Sequence, residues 1–140
     1  MGLREGSANT GRFPGSKDSE FTDRCRDFFI RQLQAQRPCL VLALGGYVPP
    51  FLAPLSPELS DWAKWRSFPW LDKKHRAIVP AASFPQANHT CALVALTHPS
   101  FRPSNVWRRR YGRLWGHAAE VAMVRQALVE CPELRTGATA

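Results

Sequence analysis

The residues best suited to chemistry stand where a long apolar run ends, at His98, Pro99 and Ser100. The run from Cys91 to Leu96 is uniformly apolar, which is typical of a strand buried on both faces of a parallel sheet. Proline biases the residue before it toward an extended conformation, so we expect His98 at the carboxyl end of this strand. Ligands of open α/β sheets bind at that edge. The pattern predicts an imidazole donor at a ligand site, although a histidine that only bonds its own loop would look the same.

Positive charge is concentrated around this turn. No carboxylate lies between Asp72 and Glu120, and the eight cations of that window equal the whole formal net charge of +8. They are Lys73, Lys74, Arg76, Arg102, Arg108, Arg109, Arg110 and Arg113. Such a basic excess is typical of a surface that binds a polyanion. A solvated face of scattered arginines is the alternative interpretation.

Length and composition narrow the class of protein. A chain of 140 residues with 44% hydrophobic residues fits at most one globular domain and is small for a complete enzyme. The four cysteines form no Cys-x-x-Cys pair, so we expect no metal site and reduced thiols in a cytoplasmic protein. No secretory signal is apparent, and glycines and prolines interrupt the longest apolar stretch, which argues against a membrane span.

The first half of the chain has the pattern of a parallel α/β unit. An amphipathic helix is predicted from about Ser19 to just before Pro38, with one buried stripe made of Phe21, Cys25, Phe28, Phe29 and Leu33. A second apolar strand follows from Cys39 to Leu44 and is closed by Gly45-Gly46. Helix, buried strand and glycine turn in that order favour an α/β class.

The remaining elements are predicted from caps and breakers. Ser56-Pro57-Glu58 predicts the start of a helix that ends near Arg66. A short strand is predicted at Ile78-Val79, followed by a proline- and alanine-rich loop. A helix capped by Ser104 is predicted from Asn105 to about Tyr111. A last helix is predicted from His117 to Val129, and its inward residues are expected to be Ala118, Val121, Ala122 and Leu128. Trp62 and Trp65 are expected in the core, whereas Trp70 fits either the core or a base-stacking position beside the cations.

In this order the elements resemble the C-terminal half of the uracil-DNA glycosylase superfamily, from about Gly11 to Leu128. Three pieces carry the resemblance: the helix and strand from Cys25 to Gly45, the apolar strand that leads into His98-Pro99-Ser100, and the closing helix from Gly116-His117-Ala118-Ala119-Glu120 to Leu128. The resemblance implies a three-layer α/β/α fold with a short, mainly parallel sheet. It also implies hydrolysis of the base–sugar bond in DNA, after the nucleotide has been extruded from the stack.

By this resemblance, His98 is the catalytic donor that stabilises the departing uracil, and Pro99 and Ser100 form a rigid loop against the DNA backbone. Charge and position, rather than the motif, add four phosphate contacts: Arg102, Asn105, Arg108 and Arg109.

The sequence departs from the family in its first part. The Gly-Pro-rich loop that positions the attacking water belongs well upstream of Phe21, where the sequence has no room for it. In the iron–sulfur branch, Cys25 matches one ligand but Gly11 stands where another is needed, so we expect no cluster and no cofactor. We therefore expect an incomplete fold over residues 18–131, between a flexible segment at 1–17 and a frayed tail at 132–140. Met1 would then be an internal methionine of a longer reading frame, and we expect the chain to be weakly active or inactive. We also expect one apolar edge of the sheet to be unpaired.

Two other functions fit parts of the pattern. A non-catalytic basic module would bind DNA through the same surface without chemistry. A serine hydrolase built on Ser100 and His98 is disfavoured, because the Gly-x-Ser-x-Gly elbow is absent.

Overall fold

The computed structural model describes residue 15 and residues 17–131, without the side chain of Phe101. The predicted segment at 1–17, apart from residues 15 and 17, and the predicted tail at 132–140 lie outside the described residues. The helices are α1 (Ser19–Gln36), α2 (Val48–Leu52), α3 (Ser60–Ala63), α4 (Phe68–Lys73), α5 (Arg102–Asn105) and α6 (Gly116–Glu130). The strands are β1 (Leu40–Leu44), β2 (Ile78–Phe84), β3 (His89–Leu96), β4 (Arg110–Tyr111) and β5 (Leu114–Trp115). Short 3₁₀ turns occupy Ala53–Leu55, Pro57–Leu59, Pro85–Ala87, Pro99–Phe101 and Val106–Arg108.

Strand β3 is the centre of a three-stranded sheet with the order β1-β3-β2. β1 pairs with β3 in parallel, from Leu40 beside Ala92 to Leu44 beside Leu96, whereas β2 pairs with β3 antiparallel. The class is therefore α/β, as predicted. The expectation of a mainly parallel sheet was wrong, because the described part of the sheet has one parallel and one antiparallel pair. β4 and β5 form a separate antiparallel hairpin.

The core lies on both faces of β3. Cys91, Leu93 and Ala95 belong to a cluster that includes Ile30 and Leu33 of α1. The alternate β3 residues belong to a second cluster with Ala119, Met123 and Ala127 of α6: Ala92, Val94 and Leu96. This arrangement explains the uniformly apolar sequence of β3, since successive side chains of a strand point to opposite faces. The prediction that β3 is buried throughout its apolar run is confirmed.

Helix α1 has the predicted bounds. Asp18 caps it by accepting a hydrogen bond from the backbone N–H of Phe21 at 3.1 Å. The predicted buried stripe was wrong at Phe28, which is 62% exposed, because the stripe centres on Ile30 and Leu33.

Strand β1 is less covered than its sequence predicts. Leu42 and Leu44 are exposed, because β1 lies at the edge of the sheet and α6 packs mainly over β3. The expected unpaired edge is present, since no strand of the described chain pairs with the outer side of β1.

Three further elements differ from the predictions. β2 runs on from the predicted strand through Pro80, which an edge strand tolerates, with an irregularity between Val79 and Ala82. The helix predicted from Ser56 is replaced by a 3₁₀ turn and the short α3, and the Ser56 hydroxyl donates to Glu58 instead of capping. The helix predicted from Asn105 to Tyr111 is replaced by a 3₁₀ turn and strand β4.

The tryptophans predicted for the core lie there. Trp62 is fully buried and its indole N–H donates to the carbonyl of Arg76 at 2.7 Å, which confirms its place in the core. Trp65 and Trp70 are half-buried and pack against the same cluster as Trp62. Of the two positions that the sequence allows for Trp70, the structure therefore has the one in the core.

Candidate nucleic-acid interface at the carboxyl end of the sheet

His98 lies just past the carboxyl end of β3, as predicted, in an extended conformation with φ −62° and ψ 136°. At the neighbouring end of β1, the Gly45 N–H donates to the carbonyl of Leu96 at 2.9 Å. A Cβ built on Gly45 would lie 3.2 Å from the Cβ of His98. Glycine at this position therefore lets the end of β1 approach the imidazole closely. The half-buried ring and the glycine turn share the edge of the sheet where α/β proteins bind ligands.

The imidazole is fixed in one tautomer by its own turn. Nδ1 of His98 accepts a hydrogen bond from the backbone N–H of Ser100 at 3.0 Å. Because a backbone N–H can only donate, Nδ1 carries no proton in this contact, and the proton of the neutral ring lies on Nε2. In the neutral ring that this contact requires, Nε2–H is therefore the donor. Such a donor can stabilise an oxygen that becomes negatively charged.

Glu120 of α6 holds the residue that precedes His98. Its Oε1 accepts the backbone N–H and the hydroxyl of Thr97 at 2.7 and 2.6 Å. Burial raises the pKa of Glu120, but the hydrogen bonds from Thr97 and the charges of Arg109 and Arg102 outweigh it, so the pKa lies below its usual value. Glu120 is therefore an ionised anchor for the strand end. The prediction of which α6 residues face inward was wrong, because the buried face includes Glu120 beside Ala119, Met123 and Ala127. The predicted inward residues Ala118 and Leu128 are exposed, whereas Ala119, Glu120 and Met123 are buried.

Arg109 does not contact solvent, so its predicted role as a phosphate contact was wrong. Its Nε and Nη2 donate to Asp72 at 3.0 and 2.9 Å, and its Nη1 donates to Glu120 at 2.9 Å. Nη1 also donates to the carbonyl of Ala95, and the guanidinium lies 4.6 Å from the ring centre of Phe68. The side chain is fully buried, and its charge is balanced there by the carboxylates of Asp72 and Glu120. These two residues flank residues 73–119, which contain no carboxylate and are called the acid-free window.

Arg102 occupies an intermediate position. Its side chain is 31% exposed, and its guanidinium contacts both Glu120 and Nδ1 of His117. It therefore joins the turn that begins at Pro99 to the start of α6. Part of the guanidinium remains accessible, so Arg102 stays a candidate for a phosphate contact.

The other predicted contact residues lie on the surface. Pro99 and Ser100 are exposed beside His98, and Asn105 and Arg108 are exposed further along the chain. The structure thus brings His98, Pro99, Ser100 and Arg102 together in one turn, and only Arg109 lies inside the protein.

Two exposed tryptophans were missed by the sequence analysis. Trp107 is 50% exposed and Trp115 is 64% exposed. Both line a groove of about 520 Å³ with Arg113, Leu114 and His117. A sequence signal exists, since the two tryptophans flank a stretch, residues 108–114, that contains four arginines and no carboxylate. Asp72 and Glu120 were also missed as anchors, although each is an isolated carboxylate beside that window.

Other kinds of site have little support in the described residues. No group of three or more histidine, cysteine or acidic side chains within 17–131 is placed to hold a metal ion. The absence of a cofactor stays a prediction. In the same part of the chain, none of the helices combines the length and the apolar character needed to cross a membrane.

Comparisons with known proteins add no assignment. The sequence matches no protein-family model, no curated protein and no solved structure.

Proposed function

We propose that this chain is a uracil-DNA glycosylase-like protein whose His98 stabilises the departing uracil. As an isolated chain it cleaves the base–sugar bond weakly or not at all. The proposal depends on one observation: the Ser100 N–H donates to Nδ1 of His98 at the end of the parallel pair, which places the proton of the neutral ring on Nε2. A neutral donor stabilises the anionic oxygen of departing uracil without transferring a proton to it. The sequence has no Gly-Pro-rich water-activating loop, which is why the expected rate is low.

The three-layer α/β/α arrangement belongs to this proposal, and the clusters on both faces of β3 support it. A reducing, cytoplasmic location is also proposed. The four cysteines all lie among the described residues and form no disulfide with one another, as is usual for proteins of that compartment.

The first test compares strands that differ in one base. The 140-residue chain is incubated with a labelled single-stranded oligonucleotide that contains one deoxyuridine. The matched strand carries a difluorophenyl C-nucleoside at that position, which keeps the shape of the base but lacks the carbonyl oxygens that accept a hydrogen bond. We expect at most slow release of uracil and about tenfold tighter binding to the uracil strand, which corresponds to one hydrogen bond of about 1.4 kcal/mol.

His98→Ala should abolish that preference and lower any cleavage about 100-fold or more. Gln32→Ala is the control, because Gln32 is an exposed side chain on α1, outside the proposed sites, and its replacement should change neither quantity. Equal affinity of the wild-type chain for both strands, with no cleavage, would contradict the glycosylase-like assignment. Rapid turnover would contradict the expectation of weak activity.

A second candidate function, a non-catalytic DNA-binding module, is favoured by a separate observation. Five exposed cations of the acid-free window form no ion pair with a described carboxylate: Lys73, Lys74, Arg108, Arg110 and Arg113. The two flanking carboxylates, Asp72 and Glu120, are buried and paired, so they do not neutralise this surface.

That module would bind DNA regardless of uracil. If all five cations contact phosphates of a single strand, log Kd should change with log salt by a slope of about 3.5. His98→Ala should leave the binding unchanged, and Arg108→Ala with Arg113→Ala should weaken it and reduce the slope by about 1.4. Arg109 is unsuitable for this test because it is buried.

A further inference from the structure

The strongest unassigned feature is a surface around the β4–β5 hairpin, made of Trp107, Arg108, Arg110, Arg113 and Trp115; we call it the hairpin surface. Both tryptophans are half-exposed or more. Indole rings are large and usually highly buried, as Trp62 is here. Two of them in one groove form an exposed aromatic surface, which marks an interaction site.

Buried contacts of Arg109 and Asp72 anchor the hairpin surface to the protein interior. Arg109 points into the protein, so its neighbours Arg108 and Arg110 point out to solvent. The backbone N–H of Arg110 donates to Asp72 at 2.9 Å, and the N–H of Gly116 donates to the carbonyl of Arg109 at 3.0 Å. The buried ion pair therefore fixes the base of the hairpin. A partner would find the two rings already positioned and would lose little conformational entropy in ordering them.

The charges of this surface select an anionic partner. The guanidinium of Arg108 lies 5.1 Å from the ring centre of Trp107, and that of Arg110 lies 6.0 Å from the ring centre of Trp115. Arg113 lines the tryptophan groove and also a second groove of about 660 Å³. That second groove contains Lys73, His75 and Arg110 as well. Its one carboxylate, Asp72, is already paired with Arg109.

We propose that the hairpin surface binds single-stranded nucleic acid, with bases stacked on Trp107 and Trp115 and phosphates bound by the three arginines. Stacking on aromatic rings beside cations is how proteins bind unpaired strands without reading their sequence. In a duplex the faces of the bases are stacked on one another. Its phosphates can therefore still contact the arginines, but its bases cannot stack on the indole rings. An anionic lipid surface is the main competing partner, since tryptophan and arginine also favour membrane interfaces.

The hairpin surface adjoins the His98 turn. His117 lines the tryptophan groove and contacts Arg102, three residues after Pro99. A strand stacked on the two rings would thus continue toward His98. The inference deepens the proposed function and rests on it for the direction of the strand, but stacking itself requires no glycosylase step.

The test uses the complete 140-residue chain and three probes: fluorescein-labelled dT20, its duplex with dA20, and vesicles of phosphatidylcholine and phosphatidylserine. The wild-type chain should bind dT20 at least tenfold more tightly than the duplex or the vesicles. Trp107→Ala with Trp115→Ala should weaken dT20 binding about 100-fold while duplex binding changes less than threefold. Trp107→Phe with Trp115→Phe, which retains stacking, should restore dT20 binding to within tenfold of the wild type.

Unchanged dT20 binding by the double alanine variant would overturn the proposal, and so would a preference for vesicles. If that variant fails to fold, acrylamide quenching of the wild-type chain decides instead: dT20 should shield the exposed tryptophans, and no shielding overturns the proposal. The proposed function fails separately if Trp-dependent binding of dT20 persists but the deoxyuridine strand is bound no better than the difluorophenyl strand.

Discussion

The guanidinium of Arg109 and the carboxylate of Asp72 form a bidentate pair in the protein interior, with both side chains at most 2% exposed. The second anion of this group, Glu120, accepts from the same guanidinium and from Thr97. The network therefore connects α4, the hairpin, α6 and the end of β3. It supports both proposed sites, since Thr97 precedes His98 and Arg109 lies between the outward-pointing arginines of the hairpin surface.

Replacement of Arg109 by methionine should destabilise the protein by about 3–5 kcal/mol. The substitution leaves two carboxylates buried without their counter-charge, which is far more costly than loss of an exposed ion pair. That loss is a large part of the total stability of an ordinary domain, so partial unfolding in buffer is an expected result. Urea denaturation followed by circular dichroism measures the change.

Arg108→Met is the matched control, because this neighbour has the same side chain but is exposed. It should change the free energy of unfolding by no more than about 0.5 kcal/mol. A loss below about 1 kcal/mol in Arg109→Met would show that the buried pair does not hold the hairpin in place.

Gly45→Ala tests the close approach of β1 to His98. Gly45 has φ +97°, which strains any L-residue, and the new Cβ would lie 3.2 Å from the Cβ of His98. Gly112→Ala is the control, because Gly112 has φ +58° and a Cβ added there would meet nothing within 4 Å. We expect a loss of about 1–2 kcal/mol for Gly112→Ala from backbone strain alone and a larger loss for Gly45→Ala.

Urea denaturation gives the two losses, and the NMR signals of the His98 ring report whether it moves. The ring signals should shift in Gly45→Ala and not in Gly112→Ala. Equal losses with an unchanged His98 spectrum would mean that the imidazole is not packed against the end of β1.

The sequence predicted the elements whose patterns are local. The apolar run of β3 and the helical periodicity of α1 and α6 depend only on neighbouring residues, and the structure has all three close to the predicted bounds. The position of His98 followed from Pro99 for the same reason, since proline constrains the residue before it.

The hairpin and the buried network could not be predicted in this way. Arg108, Arg109 and Arg110 are identical in the sequence, and only the distant residues Asp72 and Glu120 decide which of them is buried. Glu120 also misled the assignment of the inner face of α6, because a carboxylate is normally assigned to the solvent side. Two-residue strands such as β4 and β5 have too few residues to show a period.

Stability should fall in acid partly through Glu58. Hydrogen bonds from Ser83 lower its pKa to about 2, and burial opposes them only in part. The carboxylate accepts the backbone N–H of Ser83 at 3.0 Å and also its hydroxyl, which ties the Pro57–Leu59 turn to β2. In the unfolded chain the group titrates near its ordinary pKa of 4.5. Its contribution is therefore complete above about pH 4.5 and is lost as the pH falls toward 2.

Glu58→Gln should remove this part of the acid dependence. The wild-type chain should lose more stability than the variant between pH 6 and pH 2.5, as measured by urea denaturation at each pH. Glu20→Gln is the control, because Glu20 is an exposed carboxylate on α1 with a single long contact to Arg24 at 3.6 Å. Parallel pH profiles for the wild-type chain and Glu58→Gln would contradict the contact with Ser83.

The outer edge of β1 should make the protein self-associate. Residues 39 and 45 bond to β3 through their backbone groups, so in a parallel ladder the backbone groups of Leu40, Leu42 and Leu44 point away from the sheet. Leu42 is 45% exposed and Leu44 is 41% exposed, which adds apolar side chains to an unpaired edge. Such an edge pairs readily with another strand.

Light scattering should show association that increases with protein concentration. Leu44→Lys should suppress this association. Phe28→Lys is the control and should not suppress it, because the backbone groups of α1 are already hydrogen-bonded within the helix, even though Phe28 is more exposed than Leu44. Equal suppression by both variants would mean that general surface hydrophobicity, and not the strand edge, drives the association.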